Sequence, residues 1–428
     1  MVTLIVRTSA TFLAACSLAA AAVPTFSKDI APIVQQRCQS CHRPGEAAPF
    51  SMLTYKDARP WASSIKEAVQ TRKMPPWFAD PHYGKFSNDR TMPQAEIDTI
   101  IAWVNGGAPE GNPNDLPKPV EFVNGWNIGT PDLTVTMPAK YEVPATGTID
   151  YQYILVPLNL TEDKWVQAAE VRPGNRALLH HVIAYVRPPG SNWMKGAQPG
   201  IPYRPQSGES GNAGEFLVGY APGAPARPLP EGRGRLVKAG SDIILQMHYT
   251  ANGKPGTDQS SVGLVYSKTP VKERVFTIAA MTKKFAIPPG DPNYEVKASF
   301  EFGADTKVTM LAPHMHLRGK DFLFTAVYPT GERQIILNVP HYDFNWQLTY
   351  DPKQELMMPK GSKFECVAHY DNSPNNPNNP DPTREVRYGD QSWEEMMFGF
   401  FDVAIDAGKD LKSILPQRQP EPKPAVLE

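Results

Sequence analysis

The chain is 428 residues long, and at roughly 100–200 residues per domain this length calls for about three domains. Its 43 basic and 44 acidic side chains leave a net charge of −1 with no basic stripe, which argues against nucleic acid as a partner. Forty-five prolines and 31 glycines imply turn-rich, largely β architecture over much of the length.

The amino terminus reads as an export signal over residues 1–22. Arg7 closes a short charged region, an apolar stretch runs from Ala10 to Ala22, and Val23-Pro24 follows. The stretch is too short for a transmembrane span. Leu13-Ala14-Ala15-Cys16 also fits a lipoprotein cleavage box, which would make Cys16 a lipid anchor. Either route implies a periplasmic or secreted protein, an outer-membrane lipoprotein in the second case. Cleavage at Ala22 leaves Cys38, Cys41 and Cys366, too few for a disulfide framework. Cys366 lies in an alternating run and reads as a small buried hydrophobe.

Residues 23–110 read as helices. Ser27 is placed to cap one carrying Ile30, Ile33 and Val34 on a single face. A second is expected from Asp57 to about Arg72, with Trp61, Ile65 and Val69. The third opens with Pro93, aligns Ile97, Ile100, Ile101 and Val104, and stops at Gly106-Gly107. Between the first two stands Cys38-Gln39-Ser40-Cys41-His42. Such a C-x-x-C-H run attaches haem c covalently: the two thiols form thioethers and the imidazole ligates the iron. Three helices around this motif resemble a small class I cytochrome c domain. That resemblance implies a methionine as sixth ligand, and Met74, in Met74-Pro75-Pro76, occupies the expected place; His82 is the alternative.

Residues 111–127 are rich in proline, asparagine and glycine and read as a linker. Beyond them come short alternating runs at Asp150–Val156, Leu178–Val186, Asp242–Tyr249, Phe322–Val327 and Phe364–Tyr370, the pattern of antiparallel β-sandwiches. Two are expected, over 128–268 and 269–410, before a proline-rich tail at 411–428. The fold class expected is therefore an N-terminal all-α cytochrome c domain followed by two all-β jelly-roll domains.

Six of the nine histidines fall at His42, His180, His181, His248, His314 and His316. In a strand, His314 and His316 point to the same side and can converge on one ion. His180 and His181 are adjacent, so both can reach one ion only at a bulge or strand end. Taken singly, each of these histidines is more often a hydrogen-bonded structural residue. In their order and spacing they resemble the copper type II, ascorbate-dependent monooxygenases, the family of peptidylglycine hydroxylating monooxygenase and dopamine β-monooxygenase. The resemblance runs from near Trp126 to Asp406 and implies two jelly-roll domains with two copper ions. His180, His181 and His248 match the electron-storing copper; His314, His316 and Met396 match the oxygen-binding one. Met396 follows the acidic pair Glu394-Glu395, and Met397 is the competing ligand.

The chain also departs from that family. The framework disulfides are missing. Ala312 stands where the amidating enzyme has an arginine for the peptide carboxylate, which argues against amidation of glycine-extended peptides. The resemblance implies an enzyme that hydroxylates a C–H bond of a small molecule or peptide with O2. Two imidazoles and a thioether favour Cu(I), and a tethered haem, fed by an external donor, supplies electrons singly. Two rival readings remain. One is a haem- and copper-binding electron-transfer protein that takes no organic substrate; the other is a cytochrome joined to an adhesion module. His82, His341 and His369 are read as structural or supporting residues, with His369 the most apt to touch a ligand network.

Overall fold

The computed structural model describes residues 22–416 except 47, 124, 205–213, 223 and 225. The expected export signal up to residue 21, Cys16 within it, and the end of the expected tail thus lie outside the described residues. Strands dominate, at 35% of the described residues against 12% helix. The chain divides into two compact units, one of residues 1–74 and 92–119, the other of residues 75–91 and 120–428.

The first unit corrects the expected fold. Its helices are short: Ala31–Arg37, Tyr55–Ala58, Ala62–Gln70 and Gln94–Asn105, the first preceded by a π-turn at Phe26–Ile30. The long irregular stretches between them do not amount to an all-α cytochrome c domain. Proline is the physical reason. It supplies no N–H and clashes with the preceding turn, so Pro60 breaks the second expected helix, and Pro44, Pro49, Pro75, Pro76 and Pro81 hold their segments out of helix. Ser27 is not a cap; it is buried, and Asp29 instead accepts the Thr25 N–H at 2.7 Å. The expected linker is partly structured, with a 3₁₀ turn at Pro113–Asp115 and the Lys118 carbonyl accepting from Gln35 Nε2 at 3.2 Å. Phe26, Ile30, Val34, Ile65, Val69, Ile97, Ile100 and Trp103 form the small core.

The second unit is sheet-rich, but its two halves are not the two separate sandwiches expected. One eight-stranded sheet runs through both. Its order is Leu133–Thr136, Ser261–Tyr266, Lys164–Arg172, Arg233–Val237, Glu273–Thr282, Met397–Asp406, Thr306–His314 and Leu356–Met358. The halves join where Glu273 and Arg274 pair in parallel with Arg233 and Gly234.

Each half adds a four-stranded sheet. In the amino-terminal half its order is Gln152–Pro157, Asp242–Tyr249, Leu179–Arg187 and Glu215–Tyr220; in the other it is Tyr294–Glu301, Lys363–Tyr370, Gly319–Val327 and Arg333–Val339. Ile154, Val182, Leu245 and Leu264 belong to one core, and Leu311, Phe324, Phe364, Met397 and Phe401 to the other. Cys366 is buried in the latter, as its alternating run suggests. There the strand Met397–Asp406 passes so close that a Cβ on Gly399 would meet Cys366 Sγ at 2.7 Å. Ile414, in a 3₁₀ turn at Leu411–Ile414, is buried in the same core, so the start of the expected tail is packed.

Candidate functional site

His180 and His181 begin the strand Leu179–Arg187, and His248 lies beside them on Asp242–Tyr249. His181 pairs directly with His248, and the register slips between Leu179 and His181. That bulge is the device two adjacent histidines need in order to face one point. The Nδ1 atom of His181 lies 3.0 Å from that of His180 and 3.4 Å from that of His248. Ligand atoms of all three fall within 4.8 Å of one another. Burial lowers the pKa of all three; it puts His248 at about 3 and adds to the mutual repulsion that lowers His181. A ring nitrogen offers one proton or one lone pair, so His181 Nδ1 can satisfy one of these neighbours but not both, and the cluster fits a metal ion. Tyr151 packs edge-on against His181 and His248 at 5.5 and 4.7 Å.

His314 ends the strand Thr306–His314, where it pairs with Phe398. Its Nδ1 donates to Gln347 Oε1 at 2.7 Å, and His316 Nδ1 donates to the Glu394 carbonyl at 3.2 Å. Both rings are thus oriented through one nitrogen, which leaves each Nε2 as the ligand atom. The His316 Nε2 is buried with no hydrogen-bond partner, and the two rings stand 5.2 Å apart at right angles. An orphaned buried nitrogen of this kind fits a metal at this site too. Burial lowers both pKa values, that of His314 to about 4.

The structure separates the two methionines. Met397 opens the strand Met397–Asp406 and is wholly buried in the core with Leu311 and Phe401, whereas Met396 lies just before that strand and is half-buried, its carbonyl accepting from the Tyr370 hydroxyl at 2.7 Å.

The turn after His314 is held by buried polar groups. Glu395 accepts the backbone N–H of His316 at 2.9 Å and of Arg318 at 2.7 Å. Burial pushes its carboxyl up to about 8, against the pull of those donors and of the Arg318 guanidinium. Arg318, 2% exposed, donates through Nε to Asn372 Oδ1 at 2.9 Å and through a terminal nitrogen to the Trp393 carbonyl at 2.8 Å. Tyr342 clasps Met315, its hydroxyl donating to the Met315 carbonyl at 2.8 Å and accepting its N–H at 3.1 Å. A Cβ on Gly319 would lie 2.6 Å from Met315 Cβ, so this position requires glycine.

Phe344 links the two histidine sets. Its ring stacks on His180 at 5.2 Å and meets His316 edge-on at 6.1 Å, which leaves one aromatic ring between them. A cavity of about 290 Å³ bordered by His181 and His314 opens alongside, with Phe216, Tyr220, Ala312, Phe400, Arg235 and Asp402 among its walls. Gln347, Phe344 and Tyr342 were not legible in the sequence: they come from the long connection after Arg333–Val339 and carry no motif. Arg318 did stand in the His-x-His segment, but nothing there showed that it would be buried.

In the first unit the backbone N–H groups of Cys41 and His42 both donate to the Cys38 carbonyl, at 3.1 and 2.9 Å, which winds the motif into a turn. His42 Nδ1 donates to the Phe50 carbonyl at 3.3 Å, leaving Nε2 as the free ligand atom. Phe50 packs on His42 at 4.6 Å and stacks on Trp61 at 4.4 Å, and Trp61 is 44% exposed. An imidazole oriented this way beside open aromatic surface fits a covalently held haem. Burial and the neighbouring Cys41 push the Cys38 thiol up to about 12. Met74 closes this unit's first segment, partly buried, its N–H donated to the Ala68 carbonyl at 3.1 Å. His82 belongs to the second unit, is exposed, and bonds Asp80 at 2.7 Å. His341 is exposed, and His369 pairs with Asp321 at 2.6 Å rather than with either histidine set.

No family model matches the sequence, and no curated protein matches it. Solved structures with some likeness include a structure of the infectious bursal disease virus Gx strain, at 7% identity, covering 66% of this chain and 74% of that chain with a TM-score of 0.19. Allantoicase matches at 8% identity, covering 54% and 79%, with a TM-score of 0.16. VP54 of PBCV-1 matches at 8% identity, covering 67% and 98%, with a TM-score of 0.23. Likeness this slight carries no argument about fold or function.

Proposed function

We propose that this chain is an exported copper monooxygenase that hydroxylates a C–H bond of an organic substrate and receives its electrons through a c-type haem. One observation carries the reading: two sets of imidazoles, each with one histidine fully buried and the rest half-buried, stand on either side of a single aromatic ring and border one cavity. His180, His181 and His248 would hold one copper; His314 and His316, together with Met396, would hold the other. Copper so bound supplies the one-electron steps and the capture of O2, and the overall change is C–H plus O2, two electrons and two protons to C–OH plus water.

The chain's own residues supply position and environment. Gln347 and the Glu394 carbonyl fix the tautomers of His314 and His316. Glu395 and Arg318 hold the turn that carries them. Burial keeps all five imidazoles unprotonated and thus able to bind metal at neutral pH. Cys38, Cys41 and His42 would hold the haem. The attachment chemistry belongs outside the cytoplasm, in agreement with the export signal.

Expression with a haem-maturation system tests the reading. The purified chain should hold two coppers and one haem that resists acid-acetone extraction. When reduced, it should consume O2 and place labelled oxygen in an organic product. Two coppers without oxygen uptake would reduce the chain to a metal-binding electron carrier, and zinc in both sites would remove the redox reading altogether.

A further inference from the structure

The cavity beside His314 restricts what the substrate can be. Along the strand Thr306–His314, residues Met310, Ala312 and His314 share a face and sit opposite Asp402, Phe400 and Phe398 of the neighbouring strand. Leu311, Phe401 and Met397 turn the other way, into the core. Met310, Ala312, His314, Phe400 and Asp402 all border the cavity of about 290 Å³. At roughly 3.3 Å per residue, its floor runs about 13 Å from His314 to Met310.

Ala312 lies midway and offers only a methyl group, so the floor is open where a larger side chain would block it. Phe216 and Tyr220 from the facing sheet make the wall apolar. At the far end Arg235 pairs with Asp402 at 2.9 Å, and Arg227 pairs with Asp351 at 2.6 Å. Two guanidiniums are matched there by two carboxylates. A charged ligand group would lose its hydration and find no unpaired counter-ion among the described lining residues, whereas a neutral polar group would lose far less.

We propose, resting on the hydroxylase reading, that the substrate is a neutral, elongated, mainly apolar molecule up to about 13 Å long, laid along the Met310–His314 face. Ala312 is its specificity-determining residue.

Calorimetric titration of the copper-loaded, full-length protein with straight-chain alkanamides tests this, with alkanoates and alkylamines of equal length for comparison. Amide affinity should rise about fourfold per methylene and level off once the chain exceeds about 13 Å. The charged series should bind at least about tenfold more weakly. Ala312→Phe should lower amide affinity at least about tenfold at unchanged copper content, with Ala312→Val in between. Alkanoates or amines binding as well as amides would overturn the proposal, as would a copper-loaded Ala312→Phe protein with undiminished affinity. Labelled-oxygen product is scored separately in the same samples. The predicted binding pattern without any product would sink the hydroxylase reading and leave the ligand class standing.

Discussion

Replacing Arg318 by methionine puts the architecture of the second histidine set to a direct test. The guanidinium is buried and makes two charged-donor hydrogen bonds, at 2.9 Å to Asn372 Oδ1 and 2.8 Å to the Trp393 carbonyl. Methionine matches the length and apolar stem but takes the donor from the Trp393 carbonyl and leaves Asn372 Oδ1 with Asn379 Nδ2 alone, at 3.0 Å. At about 1.5–3 kcal/mol for each such bond, less the packing that the new side chain contributes, the loss is roughly 3–5 kcal/mol. The Glu395 carboxyl also loses its nearest cation and moves above its present value of about 8. Its grip on the His316 N–H then weakens, and with it the placement of the imidazole. Denaturant unfolding of the metal-free chain should show this loss, and metal analysis should show one copper in place of two, with the three-histidine site still filled. Arg318→Lys should recover less than half, because a single ammonium cannot serve two acceptors in the planar geometry of the guanidinium. The double variant Arg318→Met, Glu395→Gln should be more stable than the sum of the single effects, since Glu395→Gln removes the acid that Arg318→Met would leave buried without its cation. An unfolding midpoint unchanged in Arg318→Met, with both coppers retained, would refute the reasoning.

Acid should destabilise the metal-free protein. His248 and His314 fall from about 6.5 to about 3 and about 4 on folding, and His180, His181 and His316 are lowered as well. Below pH 6.5 the unfolded chain therefore binds protons that the fold refuses, so this stability is complete above about 6.5 and is lost as pH falls toward 3–4, at about 1.4 kcal/mol per group per unit. Glu395, raised to about 8, acts in the opposite sense between about 4.5 and 8, but it is one group against five. Unfolding free energies equal at pH 7 and pH 5 would contradict this balance. The two methionines should separate cleanly. Met397→Ala should cost roughly 2–5 kcal/mol of stability while both coppers remain, whereas Met396→Leu should fold with a change under about 1 kcal/mol and bind the second copper more weakly. Equal effects on metal affinity would remove Met396 as a ligand. For the haem, Cys38→Ala with Cys41→Ala should abolish covalent attachment at unchanged copper content, and haem still resisting acid-acetone would place it elsewhere.

What the sequence determined by itself was local in its physics. Alternating runs of β-branched residues announced the strands that carry His181, His248 and Cys366, because side-chain direction in a strand depends only on position parity. The same rule required a bulge at His180-His181, and the bulge is there; the rule does not reach His316, because the strand ends at His314. The helix ending at Gly106 was legible for a similar reason, since caps act within one turn.

Tertiary structure decided the rest. Three helical patterns around Cys38–His42 suggested an all-α domain, yet the segment 75–91 leaves that region, and Trp77 and Phe86 pack on Tyr350 in the β unit. No periodicity records which distant surface will bury an aromatic side chain. Two sandwiches were expected where a single eight-stranded sheet joins both halves, because the pairing of Glu273 with Arg233 is a register across 40 residues of chain. Phe344 and Gln347 reach the histidines for the same reason. They sit on a connection with no pattern of its own, placed only when the strands on either side of it close around their core.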